Sequence, residues 1–340
     1  MEPNMINHKS KIKSRKPAEY QHKQYAKFIK QCHLNLRLSS QEIGADEAWK
    51  KHCSDELLLK NYSSTMHQLA SQFWDANNKQ EITSCRISWI AQNALKYFED
   101  DFLHENEREE LLAKRFKVNI VDDLCTKPDN PYYLLDVGSC YNPFKSYSFF
   151  KVLPIDIAPA FESVVKCDFL SVNIGAELSV TKNVCYTLPF SSFDVVVFSF
   201  LLEYFPTPWQ RYTCCEKAYS ILKPAGLLII ATPDSSHATH NSKLMKNWKF
   251  ALANLGFWRI KYEKLTHMHC MIFKKCKSKQ IPLNWLHSMN LKNSSFESYI
   301  TIPQDYRIYL DIDDKPNNSE STNCEDIANL FSELVDNITE

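Results

Sequence analysis

Apolar positions recur every three to four residues from Glu19 to about Asp100. Tyr25, Phe28 or Ile29, Cys32 and Leu36 form one stripe. Trp49, Cys53 and Leu57, followed by Met66, Leu69 and Phe73, form a second, and Ile82, Cys85, Trp89, Ile90 and Tyr97 a third. This spacing predicts amphipathic helices, and no proline interrupts them between Pro17 and Pro128. Isolated helices do not bury such stripes, so three or more helices are expected to pack on one another or on the next domain. Glu105–Lys117 is charged, with Leu111, Leu112 and Phe116 on one side, and predicts a linking helix. Lys127–Pro131 is rich in turn formers and predicts a boundary.

From Tyr132 the period changes. Tyr132–Val137, Val152–Ile157, Val164–Cys167, Phe193–Phe198 and Gly226–Ala231 are short, nearly continuous apolar runs. Trp209–Leu222 reads as a crossover helix. Lys243–Leu255 reads as another, stopped by Gly256 at its C-cap position. Phe257–Glu263 and His269–Lys275 complete seven strands. Apolar strands alternating with helices predict a mostly parallel sheet covered on both faces, an α/β fold preceded by an all-helical region. The expected organisation is a basic arm (1–18), a helical domain (19–126), a ligand-binding α/β domain (127–276), an extension (277–310) and an acidic mobile tail (311–340). Trp285, Phe296, Tyr306 and Tyr309 would let the extension lie along the body as a clasp. Within the tail, Ile327, Leu330, Phe331, Leu334 and Val335 form a short amphipathic stripe. It suits a docking helix for a partner, a helix resting on its own protein, or no ordered element.

Formal net charge is zero, but it is unevenly spread. Met1–Gln31 holds eight Lys or Arg and two Glu, whereas Thr301–Glu340 holds ten Asp or Glu and two Lys or Arg. A basic domain of the kind that binds nucleic acid strongly is missing. The twelve cysteines include no C-x-x-C pair, and several sit in apolar surroundings. They are expected to be buried free thiols of a reducing compartment rather than metal ligands. With no apolar run after the N-terminal charges and no stretch of 18 apolar residues, neither a signal peptide nor a membrane span is expected. Cytoplasm or nucleus is the expected location.

The densest candidate chemistry lies in Leu134–Phe144, where an apolar strand meets Asp136, then Gly138, one of only five glycines. Twenty residues after Asp136, the second strand ends in Asp156. Such spacing suits an adenosyl ligand across the carboxyl ends of parallel strands. Gly138 would let the backbone turn tightly beneath it. Amides of the turn and of a following helix start would receive a ligand carboxylate. Asp136 would orient the loop or accept from a ligand ammonium. Asp156, with Ile157 beside it, would accept both ribose hydroxyls. Asp168, at the third strand end, would accept from the adenine amine, with Phe169 beside the ring and Ser199 below the same crevice. A strand-end aspartate also serves as a cap or turn former; three of them in register with one glycine turn point to a site. A dinucleotide would require G-x-G-x-x-G, and Tyr141 and Pro143 fill positions a pyrophosphate needs open. Neither a P-loop nor a G-x-S-x-G elbow occurs.

Leu188–Val197, Ile221–Ile230 and Leu255–Phe257 resemble the approaches to the fourth, fifth and sixth strands of class I S-adenosylmethionine-dependent methyltransferases. That resemblance covers roughly 130–276 and implies a Rossmann-like fold with a mostly parallel seven-stranded sheet. A narrower resemblance rests on Leu134–Phe144, Ile155–Val164, Lys166–Leu170, Val195–Pro208, Thr232–His237, Thr266–His269 and Ile302–Tyr306. It is to the S-adenosylmethionine sensors of the TOR pathway, animal relatives of the yeast 25S ribosomal RNA adenine-N1 methyltransferase. It implies S-adenosyl-L-methionine, and also S-adenosyl-L-homocysteine, as ligands. The implied partners are the GATOR and KICSTOR complexes, bound when the ligand is scarce, with restraint of the TOR kinase complex. The implied location is cytoplasmic, with lysosome association through partners. Carried over residue by residue, Gly138, Asp156 and Asp168 would hold the ligand.

Adenine N-methyltransferases resemble one another in an Asn or Asp-Pro-Pro-aromatic loop after the fourth strand. Here that place reads Ser199-Phe200-Leu201-Leu202-Glu203, and Asn142-Pro143-Phe144 lies on a different loop. Asp234, His237 and His240 could reach an acceptor, with a histidine as base, or form a polar loop capping the next helix. The sequence therefore favours a sensor, with an RNA adenine-N1 methyltransferase as the alternative and RNA as a partner only under it.

Overall fold

The structure, a computed structural model, describes residues 17–70, 86–120, 126–234, 238–265, 268–291 and 295–305. Most of the basic arm, Phe73, Ile82, Cys85, His237, the His240 side chain, His267, Tyr306, Tyr309 and the acidic tail lie outside the described residues. The strands are β1 (Tyr132–Val137), β2 (Phe150–Asp156), β3 (Val165–Lys166), β4 (Asn173–Gly175), β5 (Ser179–Thr181), β6 (Val184–Pro189), β7 (Phe193–Ser199), β8 (Leu222–Pro233), β9 (Phe257–Leu265) and β10 (Met268–Lys275). They form one mixed sheet in the order β4-β6-β3-β2-β1-β7-β8-β10-β9, with β5 paired to β6. The expected seven strands are thus corrected to ten. Of the extra ones, β6 is a six-residue strand that buries Cys185 and Leu188 between β3 and β4, while β4 and β5 are three-residue segments paired to it.

The central strands β2, β1, β7 and β8 are parallel, while β10 runs antiparallel to β8 and β9. Every residue of β7 from Phe193 to Phe198 is buried. Alternate β7 side chains therefore face two helical layers. Val196 and Phe198 meet α6 (Pro208–Ile221) and α7 (Ala238–Leu255). Val195 and Val197 meet α4 (Arg86–Lys96) and the π-helical turn Tyr97–Asp101, which leads into α5 (Phe102–Phe116). Lys274 of β10 ties α5 to the sheet through Glu109, 2.7 Å away, in a buried ion pair. Leu111 is 65% exposed, because α5 turns its Phe102, Asn106, Glu109 and Ala113 face to the protein.

Helices α1 (Pro17–Ile43), α2 (Ala45–Ser54) and α3 (Glu56–Leu69) pack on one another above the carboxyl ends of the parallel strands. Leu57 is exposed at the start of α3 rather than part of the buried stripe. The extension forms α8 (Gln280–Ser288), packed on α7 and α5, before the chain returns past buried Ile300 and Ile302. Among the described residues the nine cysteines are free thiols, and no helix is long and apolar enough to cross a membrane.

Candidate functional site

Between β1 and β7 the chain order reverses, since β1 is followed by β2 on one side and by β7 on the other. Such a switch point opens a crevice at the strand ends. A cleft of about 1000 Å3, counting its open mouth, lies there. All seven sequence-predicted site residues line it: Asp136, Gly138, Asp156, Ile157, Asp168, Phe169 and Ser199.

The turn beneath the cleft is left-handed at Gly138, with φ of 76°. Cys140 and Asn142 repeat that conformation with φ of 55° and 58°. A Cβ on Gly138 would stand 3.0 Å from Leu201 Cδ1. The glycine therefore serves a close approach between two loops as well as the turn. No α-helix follows, which corrects the expected helix start: Pro143–Ser146 is a short 3-10 turn and the chain enters β2 at Phe150. The turn's amides are also occupied. Gly138 N and Ser139 N donate to Ile155 O, Cys140 N to Asp156 Oδ2, and Tyr141 N and Asn142 N to Ser139 O.

The three carboxylates differ in their partners. Asp136 is almost fully buried and accepts from Ser139 Oγ at 2.6 Å. Burial pushes its pKa up to about 7, opposed by the Ser139 bond. Asp156 accepts from Ala158 N and Cys140 N, each at 2.8 Å, and burial raises it to about 6 despite those bonds. Each of its oxygens keeps a second lone pair for a ligand hydroxyl. Asp168 accepts from Leu170 N at 3.0 Å on Oδ1 and from the Trp49 indole N–H at 3.0 Å on Oδ2. One oxygen of the carboxylate expected to meet an adenine amine thus already holds a residue of α2.

Sequence reasoning missed the cleft's roof. Trp49, Tyr62, Ser63 and Met66 enter from α2 and α3, and Arg86 from the start of α4. Arg86 Nε donates to Ser199 Oγ at 2.9 Å, and its guanidinium stands 5.0 Å from the Phe200 ring centroid. No local signal marks these residues, because they reach the cleft from helices remote in sequence. Beyond Ser199, the loop Leu202–Phe205 is buried. Tyr204 sits among Trp49, His52, Tyr62 and His33, with ring centroids 5.1–5.8 Å away. Its hydroxyl meets His52 Nε2 at 2.5 Å. Burial lowers the pKa of both His33 and His52, which keeps the imidazoles neutral. Arg37 reaches from α1 to the carbonyl of Glu203, and the buried Glu203 carboxyl accepts from Thr232 Oγ1. Asp234, read either as reaching an acceptor or as part of a polar loop, pairs with Lys264 at 2.6 Å and His269 at 2.9 Å and does not line the cleft.

A family described as "25S rRNA (adenine(2142)-N(1))-methyltransferase, Bmt2" matches residues 65–302. The chain is 36% identical over 307 residues to a Danio rerio protein named "S-adenosylmethionine sensor upstream of mTORC1", covering 83% of this chain and 76% of that one. A Xenopus tropicalis protein of the same name is also 36% identical, with 82% and 74% covered. Among solved structures, a Burkholderia thailandensis 1,6-didemethyltoxoflavin-N1-methyltransferase is 13% identical, with 57% of this chain and 91% of that one covered at a TM-score of 0.32.

Proposed function

Because the chain belongs to the family of the S-adenosylmethionine sensors upstream of mTORC1 and the Bmt2-type methyltransferases, we propose that it binds S-adenosyl-L-methionine in the cleft at the β1/β7 switch point and acts as a sensor. In this reading Asp156 accepts from the ribose hydroxyls and Ile157 packs on the sugar. Asp168 accepts from the adenine amine, and Phe169 borders the ring. Gly138 leaves the backbone close to the ligand, and Ser199 closes the floor. The turn's occupied amides leave the ligand carboxylate to Arg86, whose fork suits a carboxylate, while ionised Asp136 balances the positive ammonium and sulfonium end. S-Adenosyl-L-homocysteine fits the same groups without the sulfonium charge.

The observation that carries a sensor reading is the filled space beyond Ser199. Methyl transfer requires an acceptor aligned with the sulfonium methyl. The loop after β7, from which an acceptor clamp would project, lines the cleft with Ser199, Phe200 and Leu201 and is buried under three helices from Leu202 to Phe205. Ligand in the cleft contacts those helices directly, so it favours one arrangement of them over another. We place the protein in the cytoplasm, restraining TOR complex signalling through GATOR and KICSTOR when ligand is scarce and released by ligand, with lysosome association through those partners. Pull-down of the partner complexes with and without S-adenosylmethionine tests this: lower recovery with ligand is expected, and equal recovery overturns it. The family match favours a second reading, adenine-N1 methylation of RNA. Labelled methyl transfer to RNA from cells lacking the protein, above that of an Asp156→Ala variant, would establish that reading instead.

A further inference from the structure

Between α7, the edge strand β9 and α8 lies an open groove of about 930 Å3. Its lining alternates cations with large apolar side chains. Lys249 Nζ stands 4.6 Å from the Trp285 ring centroid, Lys246 Nζ 5.7 Å from Phe250, and the Arg259 guanidinium 5.2 Å from Tyr262. None of these three cations forms an ion pair among the described residues. The lysine at 249 is held below the ordinary lysine range by burial, then by repulsion from Arg259 and Arg108. Tyr262 and Met289 are 42% and 48% exposed at the rim. Two further lining residues, Lys264 and His269, already face Asp234, whereas the stretch of Lys246, Lys249 and Arg259 carries no carboxylate among its described partners.

We infer that this groove is the docking site of the chain's own acidic C-terminal segment, with Ile327, Leu330, Phe331, Leu334 and Val335 seated against Phe250, Trp285 and Met289. Residues 306–340 carry nine Asp or Glu and two Lys or Arg. Glu325, Asp326, Glu333 and Asp336 flank the apolar stripe, so its charge complements the groove's rim as its side chains complement the floor. The described chain ends at Asp305, just after the carbonyl of Thr301 accepts from Trp248 of α7 at 2.8 Å. Asp305 itself is held by Arg211 of α6 at 2.6 Å, so the segment starts beside α6, which packs on the groove helix α7. Between Asp305 and Ile327 the chain can extend about 70 Å, against roughly 27 Å for the length of α7. Tethering makes the encounter intramolecular, so a weak intrinsic affinity suffices to hold it.

The test uses the full chain with the photo-crosslinker p-benzoylphenylalanine in place of Phe331. Light and heavy isotope-labelled chains are mixed equally, irradiated and mapped by mass spectrometry. The expected result is attachment to 242–250 or 285–289 within one chain. K246E/K249E should lower that yield at least fivefold, and adding E325K/D326K to that background should restore at least half of it. Attachment elsewhere, no attachment, or a yield indifferent to K246E/K249E overturns the inference. A majority of light–heavy pairs also overturns it, in favour of a second copy as the occupant.

Discussion

At the residue scale, the cleft is a place where charge is held against its preference. Asp136 and Asp156 titrate near 7 and 6 because burial disfavours their ionised forms. Both pKa values are raised above the unfolded carboxylate value of about 3.9. The folded chain therefore holds these protons more tightly, and their contribution to stability falls as pH rises through 6 to 7. A cationic ligand reverses that balance, since it stabilises the ionised carboxylates. Affinity for S-adenosylmethionine should rise roughly tenfold between pH 5.5 and 7.5, for about one unit of ligand-induced pKa depression. S-Adenosylhomocysteine, lacking the sulfonium, should show a shallower rise, and calorimetry at both pH values reads the two slopes. Gly138→Ala should cost about 1–2 kcal/mol for the left-handed backbone alone and push on Leu201 as well. Thermal unfolding should show the lower stability, and titration the weaker ligand binding. The acids and the glycine were legible because each ends an apolar run in its own few residues. Arg86 and Trp49 were not, because only the tertiary fold brings their helices to the cleft.

At the element scale, one side chain of α2, Trp49, ties the helix to two of the loops at the strand ends. The Trp49 ring packs on Tyr204 and Phe205, with centroids 5.8 and 5.1 Å away, and its N–H occupies Asp168 Oδ2. Trp49→Phe should keep much of the packing and delete the hydrogen bond, costing about 1–2 kcal/mol as a bond to a charged group at a half-buried site. Hydrogen exchange of 45–54 should quicken in the variant, while exchange in β7 and β8 stays slow. Unchanged protection of 45–54 would show that α2 is held by its other contacts. The elements themselves were legible in proportion to their burial. Tyr132–Val137 was read to the residue because both its faces are covered and its apolar run is unbroken. β4 and β5 were invisible, being three-residue polar segments on an edge. The helix expected after β1 fails because Gly138, Cys140 and Asn142 all turn left-handed before Pro143, and the chain then has only a few residues before β2.

At the scale of the whole molecule, one buried cation joins a cleft-lining loop to the end of the described chain. Arg211 of α6 is fully buried. Its Nε donates to the carbonyls of Leu202 and Phe205, each at 3.1 Å. Nη1 reaches Ile300 O at 3.0 Å, and the guanidinium forks onto Asp305 at 2.6 and 2.8 Å. The loop it holds carries Tyr204 and Phe205, which line the cleft under α1–α3. Arg211→Met keeps much of the volume but strands a carboxylate and three carbonyls. Losing one partner of a buried pair costs about 3–5 kcal/mol, roughly 5–10 °C in melting temperature for a chain of this size. A merely local role would stop there. Because the guanidinium positions the cleft's back wall, S-adenosylmethionine affinity should fall as well, although Arg211 stands behind the wall. Asp305→Asn, which loses the charge and one of the two accepting oxygens but leaves Arg211 on the loop carbonyls, should keep more of the affinity than Arg211→Met while remaining less stable than the parent. A titration in which Arg211→Met binds ligand as tightly as the parent, despite its lower melting temperature, would show that the staple serves stability alone.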